Sequence, residues 1–156
     1  MNVYAVIVIL LVIAMVVGPV SMMQPNRSQR RREQLRRRAR EMGLTVSLLP
    51  PPPLATDTEP PAAMPVYSLI TSSAQPCWSV RRTEYAHESH LNQWWQFVGA
   101  TPPEPLLSRI QNTLKDLPSG VLALRMSSRQ IEAFWRESGD EQAVAQLLEC
   151  LRELSA

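Results

Sequence analysis

A chain of 156 residues with a formal net charge of +2, two cysteines and five glycines has room for one modest core beside its flanking segments. So small a charge excludes a uniformly basic nucleic-acid binder, and two cysteines without C-x-x-C spacing make no framework, although the pair could form one disulfide in an exported domain. The few glycines leave little room for phosphate-cradling loops, and no G-x-G-x-x-G, P-loop or G-x-S-x-G pattern occurs.

The first element is apolar. Val3 to Val20 reads VYAVIVILLVIAMVVGPV, and no charged residue precedes Arg27. Eighteen to twenty-one helical residues rise about 27–32 Å, which matches a hydrocarbon core of about 30 Å. The pattern predicts a transmembrane anchor over residues 1–24, bent near its exit at Gly18-Pro19. The rival reading is a secretory signal peptide, which calls for a charged n-region and small residues at a cleavage site. Only Met1-Asn2 precede the run, and the bulky Met22-Met23 follow it. Gly18 to Ser21 keeps a cleaved signal as the alternative.

The second element, over residues 25–43, is basic. Arg27, Arg30, Arg31, Arg32, Arg36, Arg37, Arg38 and Arg40 stand against Glu33 and Glu41, whereas the chain from Gly43 onward is net acidic. Positive charge beside an apolar span stays on the cytoplasmic side, so these eight arginines predict an N-out, C-in single-pass topology. Contact with anionic headgroups is a second expected role. Nucleic acid is not an expected partner, because the run carries no interleaved aromatics. Arg, Glu, Gln, Leu and Ala favour a helix, and Gly43 sits where a left-handed cap would end it. Leu35, Ala39 and Met42 form an apolar stripe too narrow to define a core.

Residues 44–65 have the composition of a linker. Thr45 to Leu49 could form a short strand, after which Pro50 to Pro53 favour polyproline II and act as a spacer. The folded part is expected over residues 66–156. VYSLI and CWSVRRTEY read as strands, and HLNQWWQFVG is open between strand and short helix. Leu106, Leu107, Ile110, Leu114 and Leu117 mark a helix that stops at Pro118. GVLALRMS and QIEAFWRES read as a hairpin. Asp140 caps a last helix that carries Val144, Leu147, Leu148, Leu151 and Leu154 on one face. The fold class expected is α+β: a transmembrane helix with a basic extension, a Pro-rich linker, and a small antiparallel sheet with two helices.

No catalytic, cofactor or metal site is expected. His87-Glu88-Ser89-His90 is one residue short of the H-E-x-x-H spacing that places two imidazoles on one helix face. Glu132, Glu137, Asp140 and Glu141 are read as partners of Arg136 and as capping groups. The two thiols, Cys77 and Cys150, are read as reduced and buried. The aromatic residues Trp78, Trp94, Trp95, Phe97 and Trp135 belong mainly in the core. Adjacent Trp94 and Trp95 cannot both face inward on a strand, so this pair is the expected partner-binding site, with no small-molecule substrate.

The stretch PNRSQRRREQLRRRAREMGLTV, following an apolar helix and a proline, resembles the amino-terminal third of the YajC family, accessory subunits of the bacterial Sec translocase. That resemblance implies a bacterial inner-membrane protein. Its expected partners are the lipid bilayer and an integral membrane protein complex, where it serves as a non-enzymatic accessory or scaffold subunit. A membrane-surface lipid-binding protein and a secreted or periplasmic domain are the alternatives.

Overall fold

The computed structural model describes the backbone of residues 2–22 and 26–156, and the side chains of 2–17 and 26–156. The chain divides into two compact units, Met1–Glu33 and Gln34–Ala156.

The first unit contains helix α1, Val3–Met22, and the start of helix α2, Arg27–Glu41. At the entry to α2, the Asn26 N–H donates to Gln29 Oε1 at 3.0 Å, one arm of a capping box. Among the described residues, no helix is long and apolar enough to cross a membrane. This overturns the expected anchor, the single-pass N-out, C-in topology and the inner-membrane placement. The bilayer and an integral membrane complex go with them as partners. The Gly18-Pro19 bend, the cleavage question at Gly18–Ser21 and the Met22-Met23 flank lie outside the described side chains.

The second unit is α+β. Six antiparallel strands form one sheet in the order β1-β2-β6-β5-β3-β4. They are β1 Thr45–Leu49, β2 Met64–Ile70, β3 Trp78–Arg82, β4 Trp95–Phe97, β5 Val121–Ser127 and β6 Gln130–Trp135, with helices α3 Leu106–Thr113 and α4 Glu141–Ser155. The expected spacer is therefore part of the fold. Thr45–Leu49 pairs along its whole length with Met64–Ser68, and Pro51 and Pro52 are buried. A strand needs a neighbour for its backbone groups, and β2 supplies it across the proline-rich loop.

Strand alternation divides the sheet into two faces. One face presents Tyr67, Trp78, Val80, Leu124, Ile131 and Trp135 to the helices. Against them pack Ile110 of α3, the apolar face of α4 at Val144, Leu147, Leu148, Leu151 and Leu154, and Leu35 and Ala39 of α2. The narrow stripe of α2 thus belongs to the core, at 1% and 0% exposure for Leu35 and Ala39. Gly43, at φ 89°, ends that helix. The Leu44 N–H reaches back to Ala39 O and the Gly43 N–H to Arg40 O, the two bonds of a Schellman cap. Buried Leu44 then sits against the helix it terminates. Asp140 caps α4 as expected, its Oδ1 accepting from the Gln142 and Ala143 N–H groups at 3.1 Å each.

The opposite face has a smaller apolar patch, Val66, Ala123 and Phe134, with Leu49 and Met64 beside it. The proline-rich loop folds onto this side. Arg81, the register partner of Ala123, donates from Nη1 to Pro52 O at 2.9 Å and pairs with Asp57 at 2.5 Å.

A third polar anchor closes the core at the α2 end. Glu137 takes two hydrogen bonds from Arg36, from Nε at 2.5 Å and Nη2 at 3.0 Å, and a third from Tyr67 Oη at 3.0 Å. Its side chain is 2% exposed and that of Arg36 32%. Tyr67 also packs edge-on against Trp135, with ring centroids 5.2 Å apart. Burial, then the neighbouring carboxylate, push the Tyr67 phenol well above its usual range.

Candidate functional site

A groove of about 870 Å³ opens where β3 ends, β5 begins and β6 ends. Its floor is set by a bulge in β5 between Val121 and Ala123, which turns Leu122 toward the opening. Gly120, at φ 84°, stands at the bulge, where an L side chain is strained and a Cβ would collide with the Ser138 hydroxyl. Ser119 O accepts from Trp135 Nε1 and from Ser138 Oγ, each at 2.8 Å, and the Arg136 N–H donates to Gly120 O. These bonds tie the floor to the core.

One wall is the loop 54–59. The Leu54 N–H donates to Asp57 Oδ2 at 2.9 Å. That bond first, and the Arg81 guanidinium after it, hold the Asp57 carboxyl below its usual range. The other wall is the 83–94 hairpin. Buried Thr83 pins it, with its N–H donating to Trp94 O and its Oγ1 donating to Tyr85 O, both at 2.7 Å. Asn92 and Gln93 are both left-handed, at φ 47° and 68°, and make the tight reversal that leads into the two tryptophans. Trp95 enters β4 opposite Arg82 and is 6% exposed, whereas Trp94 is 38% exposed on the groove. Arg82 lies over the Trp94 ring, 5.5 Å from its centroid, within reach of a cation–π contact.

The charges along the groove are mixed: Arg81, Arg82 and Arg136 against Asp57, Glu59 and Glu84. Asp57 and Arg81 satisfy one another. Among the described residues, neither Arg82 nor Arg136 has a carboxylate partner. The expected pairing of the acidic neighbours with Arg136 is thus replaced. Glu132 pairs with Arg125 at 2.5 Å and Glu137 with Arg36.

Of the two tryptophans singled out in the sequence, the structure brings only Trp94 to the groove. Of the eight arginines, Arg36, Arg37, Arg38 and Arg40 belong to the unit that holds the groove, and none of these four lines it. Arg36 is drawn into the core network. Arg37 and Arg38 pair with Glu41 at 3.7 and 3.4 Å, and Arg40 is exposed. Arg27, Arg30, Arg31 and Arg32 are exposed on the first half of α2. His87 and His90 sit outside the groove lining, with Nδ1 atoms facing Ser89 Oγ and Thr83 Oγ1. Cys77 is exposed and only Cys150 is buried, which corrects the expectation for the first thiol. Sequence reasoning missed Arg82 and Arg136. The local signal was Arg82 beside a strand end and Arg136 beside a turn, with no way to see that the two ends meet.

No family model matches the chain, and no curated protein matches it. The YajC resemblance is therefore withdrawn, together with the Sec role it implied. Among solved structures, the mycobacterial trehalose monomycolate transport factor A, TtfA, aligns with 79% of this chain and 91% of its own, at 7% identity and a TM-score of 0.48. A likeness that slight transfers neither fold detail nor function.

Proposed function

We propose that the unit Gln34–Ala156 is a binding module without catalytic chemistry, and that it takes an extended polypeptide segment of mixed charge in the groove beside Trp94. The observation that carries this reading is the pairing of an exposed tryptophan with two guanidiniums, Arg82 and Arg136, that lack carboxylate partners on a pinned floor. Aromatic and arginine side chains are the usual anchors of protein recognition, because each combines large contact area with directional polar bonding. Glu59 and Glu84 on the same walls favour a segment that also carries a cation. Asp57 on the groove wall, and the buried Glu132 and Glu137 elsewhere in the unit, are each held by an arginine, which suits positioning better than proton transfer.

The test is a random-peptide display selection against the full chain, followed by calorimetric titration of the enriched peptides. Enrichment of peptides containing an acidic residue is expected. Trp94→Ala or Arg136→Glu should weaken them by about tenfold or more, the size of a typical anchor truncation. Failure to enrich any peptide, or affinities indifferent to both substitutions, would refute the module.

A further inference from the structure

The two edges of the sheet are unequal. β4 is three residues long, whereas β1 runs five residues in unbroken register with β2. An open edge presents unpaired N–H and C=O groups, and proteins blunt it with lysine, proline, a bulge or a cover. β1 has none of these within it. Thr45-Val46-Ser47-Leu48-Leu49 contains no charge and no proline, and Leu48 is 63% exposed. The strand behind it, Met64–Ile70, also carries no charged side chain.

The strand is self-complementary. Laid antiparallel against a second copy and centred on Ser47, it sets Ser47 opposite Ser47, Val46 opposite Leu48 and Thr45 opposite Leu49. Opposed residues then lie on the same face, so each exposed Leu48 meets a half-buried Val46 and no like charges meet along the strands. A contact of this kind is isologous and closes on a two-fold axis. A foreign strand would need a charge or a side-chain pocket to select it, and β1 offers neither. We infer that β1 is a self-association edge, at which a second copy of this chain pairs antiparallel around Ser47 to give one continuous twelve-stranded sheet. This edge is independent of the peptide groove, which draws on β3, β5 and β6.

Directly opposed residues of antiparallel strands have Cα atoms about 4.5–5.5 Å apart, inside the range of about 4.4–6.8 Å that a disulfide spans. The experiment uses the full chain with exposed Cys77 replaced by serine. Under mild oxidation Ser47→Cys should form a covalent dimer at twice the 17.6 kDa chain mass. Ile70→Cys, 76% exposed on β2, should not. Adding Leu48→Lys, at a side chain exposed enough to change without unfolding the domain, should cut the Ser47 cross-link several-fold and shift sedimentation toward monomer. Circular dichroism verifies that each variant is folded. Absence of the Ser47 cross-link, equal cross-linking at Ser47 and Ile70, or a Ser47 cross-link indifferent to Leu48→Lys would each overturn the inference.

Discussion

Arg36→Ala should destabilise the domain far more than its position in a highly charged helix suggests. The substitution leaves the Glu137 carboxylate, 2% exposed, with a single hydrogen bond from Tyr67 in place of three. Removing one partner of a fully buried ion pair costs about 3–5 kcal/mol, because the remaining charge stays desolvated. Arg36 is itself about one-third exposed, so water can replace part of what it supplied, and a loss of about 2–4 kcal/mol is expected. The assay is urea denaturation of the full chain, followed by tryptophan fluorescence and far-ultraviolet circular dichroism, with coincident transitions as the check on two-state behaviour. Glu137→Gln supplies the second leg of a double-mutant cycle. With the charge removed, adding Arg36→Ala should cost much less than it does alone. Arg37→Ala, whose partner Glu41 is at the surface, should lie within about 0.5 kcal/mol of wild type. A loss below about half a kcal/mol for Arg36→Ala, or strict additivity with Glu137→Gln, would refute a buried charge network that fastens α2 to the sheet.

Tyr67 supplies a pH test in the same network. Its phenol is raised in the folded state, so between the unfolded value of about 10 and the higher folded value the unfolded chain holds fewer protons. Stability that is complete below pH 10 should therefore fall as pH rises above it, and Tyr67→Phe should flatten that decline in alkaline urea titrations. Leu148→Ala, at 1% exposure, should cost about 2–5 kcal/mol in the same denaturation assay. Asp140→Ala, which removes the cap of α4, should cost about 0.5–2 kcal/mol. Cys77 should react quickly with a thiol reagent at pH 8. Cys150, pushed up to about 11 by burial and then by nearby acidic groups, should react only when the domain opens. Equal rates for the two thiols would contradict the burial of α4.

The local elements were legible because their signals are local. Alternation marked β2, β5 and β6, leucine spacing marked α3 and α4, and Asp140 announced the helix it caps. What failed were judgements that depend on distant partners. Leu35 and Ala39 made a stripe too thin for a core until Tyr67 and the rest of the apolar face covered it. In the sequence Thr45–Leu49 falls within a spacer, because nothing near it says that the strand beyond the prolines will pair with it. Glu137 stands beside Arg136, yet its partner lies 101 residues earlier in the chain. The groove was invisible for the same reason, since it forms from three strand ends and a loop that only the sheet order brings together. In the apolar start of the chain, hydropathy alone pointed to a span that the described helix does not provide.

The position of β1 bears on how the chain reaches this state. β1 and the end of α2 leave the ribosome before β2, so both partners are already at hand when Val66-Tyr67-Ser68-Leu69-Ile70 emerges. A fragment starting at Met64 would lack both, and would show the uncharged run Val66–Ile70 with a free side. An exposed edge of that kind is a template for pairing with other chains. The proline-rich loop that looks like a tether is in this sense an intramolecular chaperone's hinge: it keeps the shielding strand on the same polypeptide, close enough to pair first.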